Sequence, residues 1–304
     1  MTESYSNGMC LAVLLYEMPD VDSLECTNIN FIGSFNDTYF TEVDNAINDL
    51  AFYSAGTALY ECVQANMAEL LDAVVFFAKR YMDEGAMTDE HMDEAAFSFS
   101  RLSLNLLGMF KSFIDHGTSA LSKRFGDSSK ELAQWKAKLS QEYDASSAYR
   151  LFSNLRNYCQ HVGMPPLHFS ISETQGEDGV RVILEFHANE LLETYHKWTK
   201  DARIDLENGP PAIDFINNLQ EWSLSFNRLS AWIDEIRRQA VLDSALCVAS
   251  IRGKSGLGAE GRIVIAPTPQ ENSAGDGLNL SLRNIPEERA KAILEGQKSF
   301  GFSD

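Results

Sequence analysis

The chain has 304 residues, 44% of them hydrophobic, which is enough for a real core in one large domain or two small ones. Its formal net charge of −19 repels phosphate backbones and excludes broad, non-specific nucleic-acid binding, though not a local basic site. Five cysteines at Cys10, Cys26, Cys62, Cys159 and Cys247 are odd in number and form no CxxC pair, so neither a disulfide framework nor a zinc site is indicated, and a reducing cytoplasm is the expected setting.

Residues 1–36 read as an N-terminal segment with two short strands, Cys10–Tyr16 and Ile29–Ser34, divided by a turn around Pro19-Asp20. The polar start Met1-Thr2-Glu3-Ser4 lacks the basic and apolar parts of a secretory signal. No apolar run reaches the roughly 18 residues of a membrane span, so no membrane is expected among the partners. From Asp37 the pattern is helical. Leu59, Val63, Met67, Leu70 and Val74 recur three and four residues apart, until Asp83-Glu84-Gly85 breaks the helix. Thr88 begins a second helix, with Asp89 and Glu90 in its first turn, and Gly126 stops it. Ser128 or Ser129 caps a third, whose apolar stripe runs through Leu132, Trp135, Leu139, Tyr143, Tyr149, Phe152, Leu155, Cys159 and Val162. Gly163 and Pro165-Pro166 end it. Three long antiparallel helices with short connections form a bundle over residues 37–163.

After Pro166 the pattern changes. Leu167–Ser172 and Val180–Phe186 are expected strands joined by the turn Gly176-Glu177-Asp178-Gly179, a β-hairpin. Helices are expected over Ala188–Asp205 and Pro211–Val248, separated by Gly209-Pro210-Pro211. Gly253–Gly261 is a loop, Arg262–Ala266 and Leu278–Leu282 are short strands, and Pro286–Leu294 is a last helix. The fold class is therefore mainly α: a long-helix bundle with a small α+β C-terminal part, residues 164–304, whose helices either complete the bundle or form a second domain.

Charge is uneven along this plan. Residues 1–100 carry 2 Lys and Arg against 18 Asp and Glu, residues 101–200 carry 12 against 11, and residues 201–304 carry 11 against 15. Residues 111–156 are locally basic, with eight cations (Lys111, Lys123, Arg124, Lys130, Lys136, Lys138, Arg150 and Arg156) against five acids.

At the end of the third helix stands Arg156-Asn157-Tyr158-Cys159-Gln160-His161. This R-N-x-x-x-H stretch resembles the R-x4-6-H motif of HEPN domains, all-helical bundles found in RNA-cleaving toxins, phage-defence proteins and CRISPR effectors. Arg156, Asn157 and His161 match the motif residue by residue, and the resemblance covers the helical setting over residues 37–163. It implies a metal-independent endoribonuclease with catalytic Arg156, His161 and Asn157. It also implies a homodimer with a composite site, in antiviral defence or a toxin–antitoxin system.

The chemistry suits these residue types without the family. Cleavage of RNA through its own 2′-OH needs a proton shuttle, and histidine titrates near neutrality. It also needs charge stabilisation at phosphorus, and the planar guanidinium of arginine stays charged and matches phosphate geometry. No cofactor and no metal are called for. Lys136, Lys138 and Arg150, expected on the same helix, are candidate RNA contacts, and Tyr158 is either a base-stacking residue or part of the core. Spacing sets a condition. Five residues on an ideal helix separate two side chains by about 140°, so Arg156 and His161 converge only if the helix loosens near Gly163 or two copies build one site. The plainer reading is a surface arginine and a histidine near a helix C-terminus, where a cation is favoured.

Other matches fail on context. Arg181 and His187 satisfy R-x5-H but fall on an expected strand. Gly256-Leu257-Gly258-Ala259-Glu260-Gly261 fits GxGxxG, yet a helix precedes it and a strand follows, the reverse of a dinucleotide site. Gly253-Lys254-Ser255 lacks the earlier glycine of a P-loop. Glu193 and His196 make one Glu-x-x-His where a di-iron bundle needs two, and His91 sits in a solvated acidic helix start. A rival to the nuclease is a non-catalytic interaction or RNA-binding protein whose acidic stretch Asp37–Glu94 is a surface for a regulatory protein partner, such as a basic one. A third reading joins the two, with the acidic region masking the basic helix until a partner releases it.

Overall fold

A computed structural model of the chain describes residues 5–16, 26–173, 179–258, 261–267 and 282–296. The fold is mainly α with two small antiparallel sheets. In chain order the elements are β1 (Tyr5–Tyr16), β2 (Cys26–Asn36), α1 (Asp37–Glu84), α2 (Asp89–Phe125), α3 (Lys130–Ala145) and α4 (Ser147–His161). Then follow β3 (Leu167–Glu173), β4 (Val180–His187), α5 (Ala188–Thr194), α6 (Lys200–Asn208) and β5 (Ala212–Asp214). Last come α7 (Phe215–Ala240), α8 (Leu242–Lys254), β6 (Arg262–Pro267), β7 (Arg283–Asn284) and α9 (Glu287–Leu294). Among the described residues no helix is long and apolar enough to cross a membrane.

The chain divides into two units, Met1–Ala55 with Arg237–Asp304, and Gly56–Ile236. The divisions fall inside α1 and α7, not at the expected boundaries near residues 36 and 163. The first stretch of α1 belongs with the N-terminal strands, and the β3–β4 hairpin belongs with the helices before it. The turn at Pro19-Asp20, the hairpin tip Gly176–Asp178, Ala259 and Glu260 of the GxGxxG match, and the strand expected from Leu278, save Leu282, lie outside the described residues.

In the first unit a four-stranded sheet has the order β2-β1-β6-β7. Strand alternation decides its faces. Leu11, Val13, Ile263 and Ile265 pack in one buried cluster with Val43, Ile47 and Leu50 of α1, Val248 and Ile251 of α8, and Ile293 of α9. The alternate residues Cys10, Ala12, Val264 and Ala266 are small and equally buried on the other face. Arg252 ties α8 to α9 through Glu287, at 2.8 and 2.6 Å.

The second unit is built around aromatic side chains. Trp222 stacks on Phe152, centroids 5.3 Å apart, and on Phe226 at 5.3 Å, and meets the edge of Phe110 at 5.0 Å. Each such pair contributes about 0.5–1.5 kcal/mol beyond the area it buries. These contacts join α2, α4 and α7. A three-stranded sheet, β3-β4-β5, completes the unit. The hairpin register sets Leu167 opposite Phe186 and His168 opposite Glu185.

One long helix is expected from Ser129 to Gly163, and the structure has two. Ser146 leaves helical geometry (φ −127°, ψ 117°), and its hydroxyl accepts the Tyr149 amide N–H at 3.1 Å. A serine side chain thus replaces the missing helical partner and starts α4. Arg150 closes the break from the other side by donating to the carbonyls of Tyr143 (2.7 Å) and Asp144 (2.9 Å). Lys136 and Lys138 consequently lie on α3, not on the helix of the motif. The expected helix over Ala188–Asp205 is likewise split into α5 and α6, and Ala212–Asp214 is a strand before α7 begins.

Candidate functional site

The motif occupies the last turns of α4, and α4 is helical through His161. The Val162 amide still donates to Tyr158 O at 2.8 Å, and the backbone departs only afterwards, at Gly163 with φ 147°. Loosening at Gly163 therefore comes too late to turn His161 toward Arg156.

The two side chains meet different surroundings. Arg156 lines a groove of about 660 Å³ with Asn66 of α1, Leu104, Asn105, Lys111 and Ser112 of α2, and Cys159 and Gln160 of its own helix, apolar and polar side chains mixed. Its guanidinium donates to Gln160 Oε1 and, at 3.3 Å, to Asn157 Oδ1. Both acceptors are neutral amide oxygens. Among the described residues no carboxylate forms an ion pair with Arg156, since Asp115 in the same groove is taken by Lys111. His161 is exposed, and its ring lies parallel to that of Tyr195, 10° between planes and 6.5 Å between centroids. Asn157 touches Arg156, so it positions the guanidinium rather than the histidine.

Burial pushes the Cys159 thiol up to about 11, against a smaller downward pull from Arg156. A thiol held neutral is no nucleophile at physiological pH, which leaves the charged and hydrogen-bonding groups of the groove as its chemistry.

Two residues expected to touch RNA have structural duties. Arg150 is held by Asp205, Nε to Oδ2 at 2.6 Å and Nη2 to Oδ1 at 3.1 Å, and by the two carbonyls at the end of α3. A guanidinium so fully engaged has no face for a phosphate. Tyr158 is 3% exposed and donates to Thr194 Oγ1 at 3.0 Å. It packs edge-on against Tyr195, centroids 5.7 Å apart. Of its two expected roles, the core role is the one the structure shows. Lys136 is exposed on α3, and Lys138 donates to Gln141 Oε1 at 3.1 Å.

A second cluster escaped sequence reasoning. His168 of β3, His187 at the end of β4 and Glu190 in the first turn of α5 each offer a ligand atom, all within 4.8 Å of one another. The sequence suggested no metal site. The only local trace was the spacing His187-x-x-Glu190, because His168 arrives through the hairpin register. His187 and Arg181, whose R-x5-H spacing fails on context, both lie on β4.

Comparison with known proteins finds no family model, no curated protein and no solved structure that matches this chain.

Proposed function

We propose that this chain is a HEPN-like endoribonuclease of the cytoplasm that works as a homodimer, with Arg156 of one copy and His161 of the other acting on one RNA phosphate. The observation that supports this most is the state of Arg156: a cation at a groove, held among the described residues by the amide oxygens of Asn157 and Gln160. Amide oxygens orient a guanidinium without neutralising it, so its charge stays available to an anion. His161, at an exposed helix end, supplies the proton-transfer group.

In this reading the RNA 2′-OH attacks the adjacent phosphorus. His161 accepts its proton and returns one to the departing 5′-oxygen. Arg156 stabilises the charge that grows on the phosphoryl oxygens. The P–O5′ bond breaks, leaving a 2′,3′-cyclic phosphate and a 5′-hydroxyl, and no metal takes part.

A second copy is invoked because α4 stays helical through His161, so one chain keeps the two side chains in separate surroundings. Exposed apolar side chains on α1 and α2 are what the second copy is proposed to cover. Val75 (52%), Phe76 (55%) and Met82 (58%) of α1, with Phe97 (66%) and Leu104 (38%) of α2, are large apolar side chains left in solvent. Such surface commonly marks an interaction site. Leu104 also lines the Arg156 groove.

The test is cleavage of an RNA oligonucleotide and of its 2′-deoxy counterpart. The proposal expects RNA to be cut to 2′,3′-cyclic ends, the 2′-deoxy strand to survive, and Arg156→Ala and His161→Ala each to lower the rate at least about 100-fold. Cleavage unchanged in both folded variants would contradict it.

A further inference from the structure

The His168–His187 pair is arranged in a way that hairpin packing alone does not require. The rings stack nearly parallel, 12° between planes and 4.1 Å between centroids. Each faces a carboxylate: His168 Nε2 lies 2.6 Å from Glu190 Oε2, and His187 Nε2 lies 3.2 Å from Glu185 Oε1. His168 and Glu185 are cross-strand partners, and His187 is two residues on from Glu185, so all three share one face of the sheet. Glu190 reaches them from α5. Imidazole nitrogens beside a carboxylate oxygen are a donor set for a transition-metal ion.

We propose that His168, His187 and Glu190 bind one divalent transition-metal ion, with Zn2+ the natural occupant. Two imidazole nitrogens and one carboxylate oxygen form a known zinc donor set, with a fourth position open to water. Zinc bonds of about 2.1 Å in a tetrahedron place ligand atoms about 3.4 Å apart. The three donor atoms lie within 4.8 Å of one another, with His168 Nε2 and Glu190 Oε2 only 2.6 Å apart, so binding opens that pair slightly while the ion takes the place of its hydrogen bond. Their side chains are 46%, 45% and 39% exposed, so rotation about side-chain bonds suffices. Glu185 is a further carboxylate beside His187, placed to hold its ring. The ion ties β3, the end of β4 and α5 together. The inference stands apart from the ribonuclease reading and uses none of its residues.

Zinc titration of the full chain, stripped with EDTA and desalted, tests it by calorimetry and by thermal melting. The wild type should take up one Zn2+ per chain with micromolar or tighter affinity and melt higher when loaded. His168→Ala and His187→Ala should each weaken binding at least about 100-fold, beyond the 10–100-fold typical of losing a partner to a ligand. Glu190→Gln, which keeps shape and volume, should weaken binding and abolish the rise in melting temperature. His196→Ala, an exposed histidine outside the cluster, should bind as the wild type does. Melting of the metal-free proteins verifies that each variant folds. No stoichiometric uptake, or uptake retained in both folded histidine variants, would overturn the site and leave two histidine–glutamate ion pairs. Equal loss in His196→Ala would overturn it too.

Discussion

Arg150 and Asp205 form a two-pronged ion pair that fastens α4 to α6, while the same guanidinium caps the last carbonyls of α3. One side chain therefore sets the angle between three helices and holds the motif helix in place. Removing one partner leaves the other half-buried and uncompensated. Arg150→Ala should lower folding stability by about 2 kcal/mol or more, less than a fully buried pair would lose because Asp205 is partly exposed. Denaturant unfolding measures this. RNA binding of the folded variant should match the wild type, whereas a direct phosphate contact would show as weakened binding and a smaller salt slope.

Tyr158 offers a sharper test of the same kind. Tyr158→Phe keeps the ring and deletes only the hydrogen bond to Thr194. Stability should fall by about 0.5–1.5 kcal/mol, with RNA affinity unchanged. Tyr158→Ala opens a cavity against Tyr195 and Trp198 and should cost about 3–5 kcal/mol.

Acid stability should depend on Glu142, a 6% exposed carboxylate at the end of α3. Arg228 donates to both of its oxygens, at 2.8 and 2.6 Å. The Arg228 hydrogen bonds hold its pKa below the usual 4.5, against the opposing effect of burial. A depressed carboxylate stabilises the fold fully above its unfolded pKa and loses that contribution as pH falls through the folded value. Glu142→Gln should therefore be less stable than the wild type at pH 7, with the gap closing below about pH 4.3. Urea midpoints between pH 7 and pH 3 check this, and a gap constant with pH would contradict it.

Thiol reactivity should separate the cysteines. Of the four whose side chains are described, Cys62 is exposed and Cys10 buried, and burial raises the pKa of both Cys159 and Cys247. Brief iodoacetamide treatment at pH 8 should modify Cys62 first and spare Cys159, as peptide mass spectrometry would show. Early labelling of Cys159 would mean that the groove beside Arg156 opens in solution.

Much of the second unit was legible because its signals are local. Thr88 starts its helix as expected, Ser129 is the cap of the two serines that were candidates, and Leu167–Ser172 and Val180–Phe186 are the expected hairpin strands. The break at Ser146 was concealed by an apolar stripe that runs through it, leaving only Ser146-Ser147 as a sign. Non-local pairing was invisible. Cys10 and Ala266 meet across 256 positions, and no periodicity announces such a partner. For the same reason the His168 cluster could not be read, since three elements each contribute one residue. The motif was legible as residues, but its geometry was not. Sequence left open whether the helix loosens or a second copy completes the site, and the intact turn through Val162 removes the first route.

The central claim is that Arg156 and His161 act together across two copies, and mixing inactive variants tests it most directly. Arg156→Ala and His161→Ala homodimers should each be inactive. In a mixed dimer with two symmetric composite sites, one site regains both wild-type residues and the other loses both. After co-refolding at equal amounts, half of the dimers are mixed and half of their sites are complete, so about a quarter of wild-type RNA cleavage should return. No recovery in a mixture shown to contain mixed dimers, or full activity in either variant alone, would contradict the account.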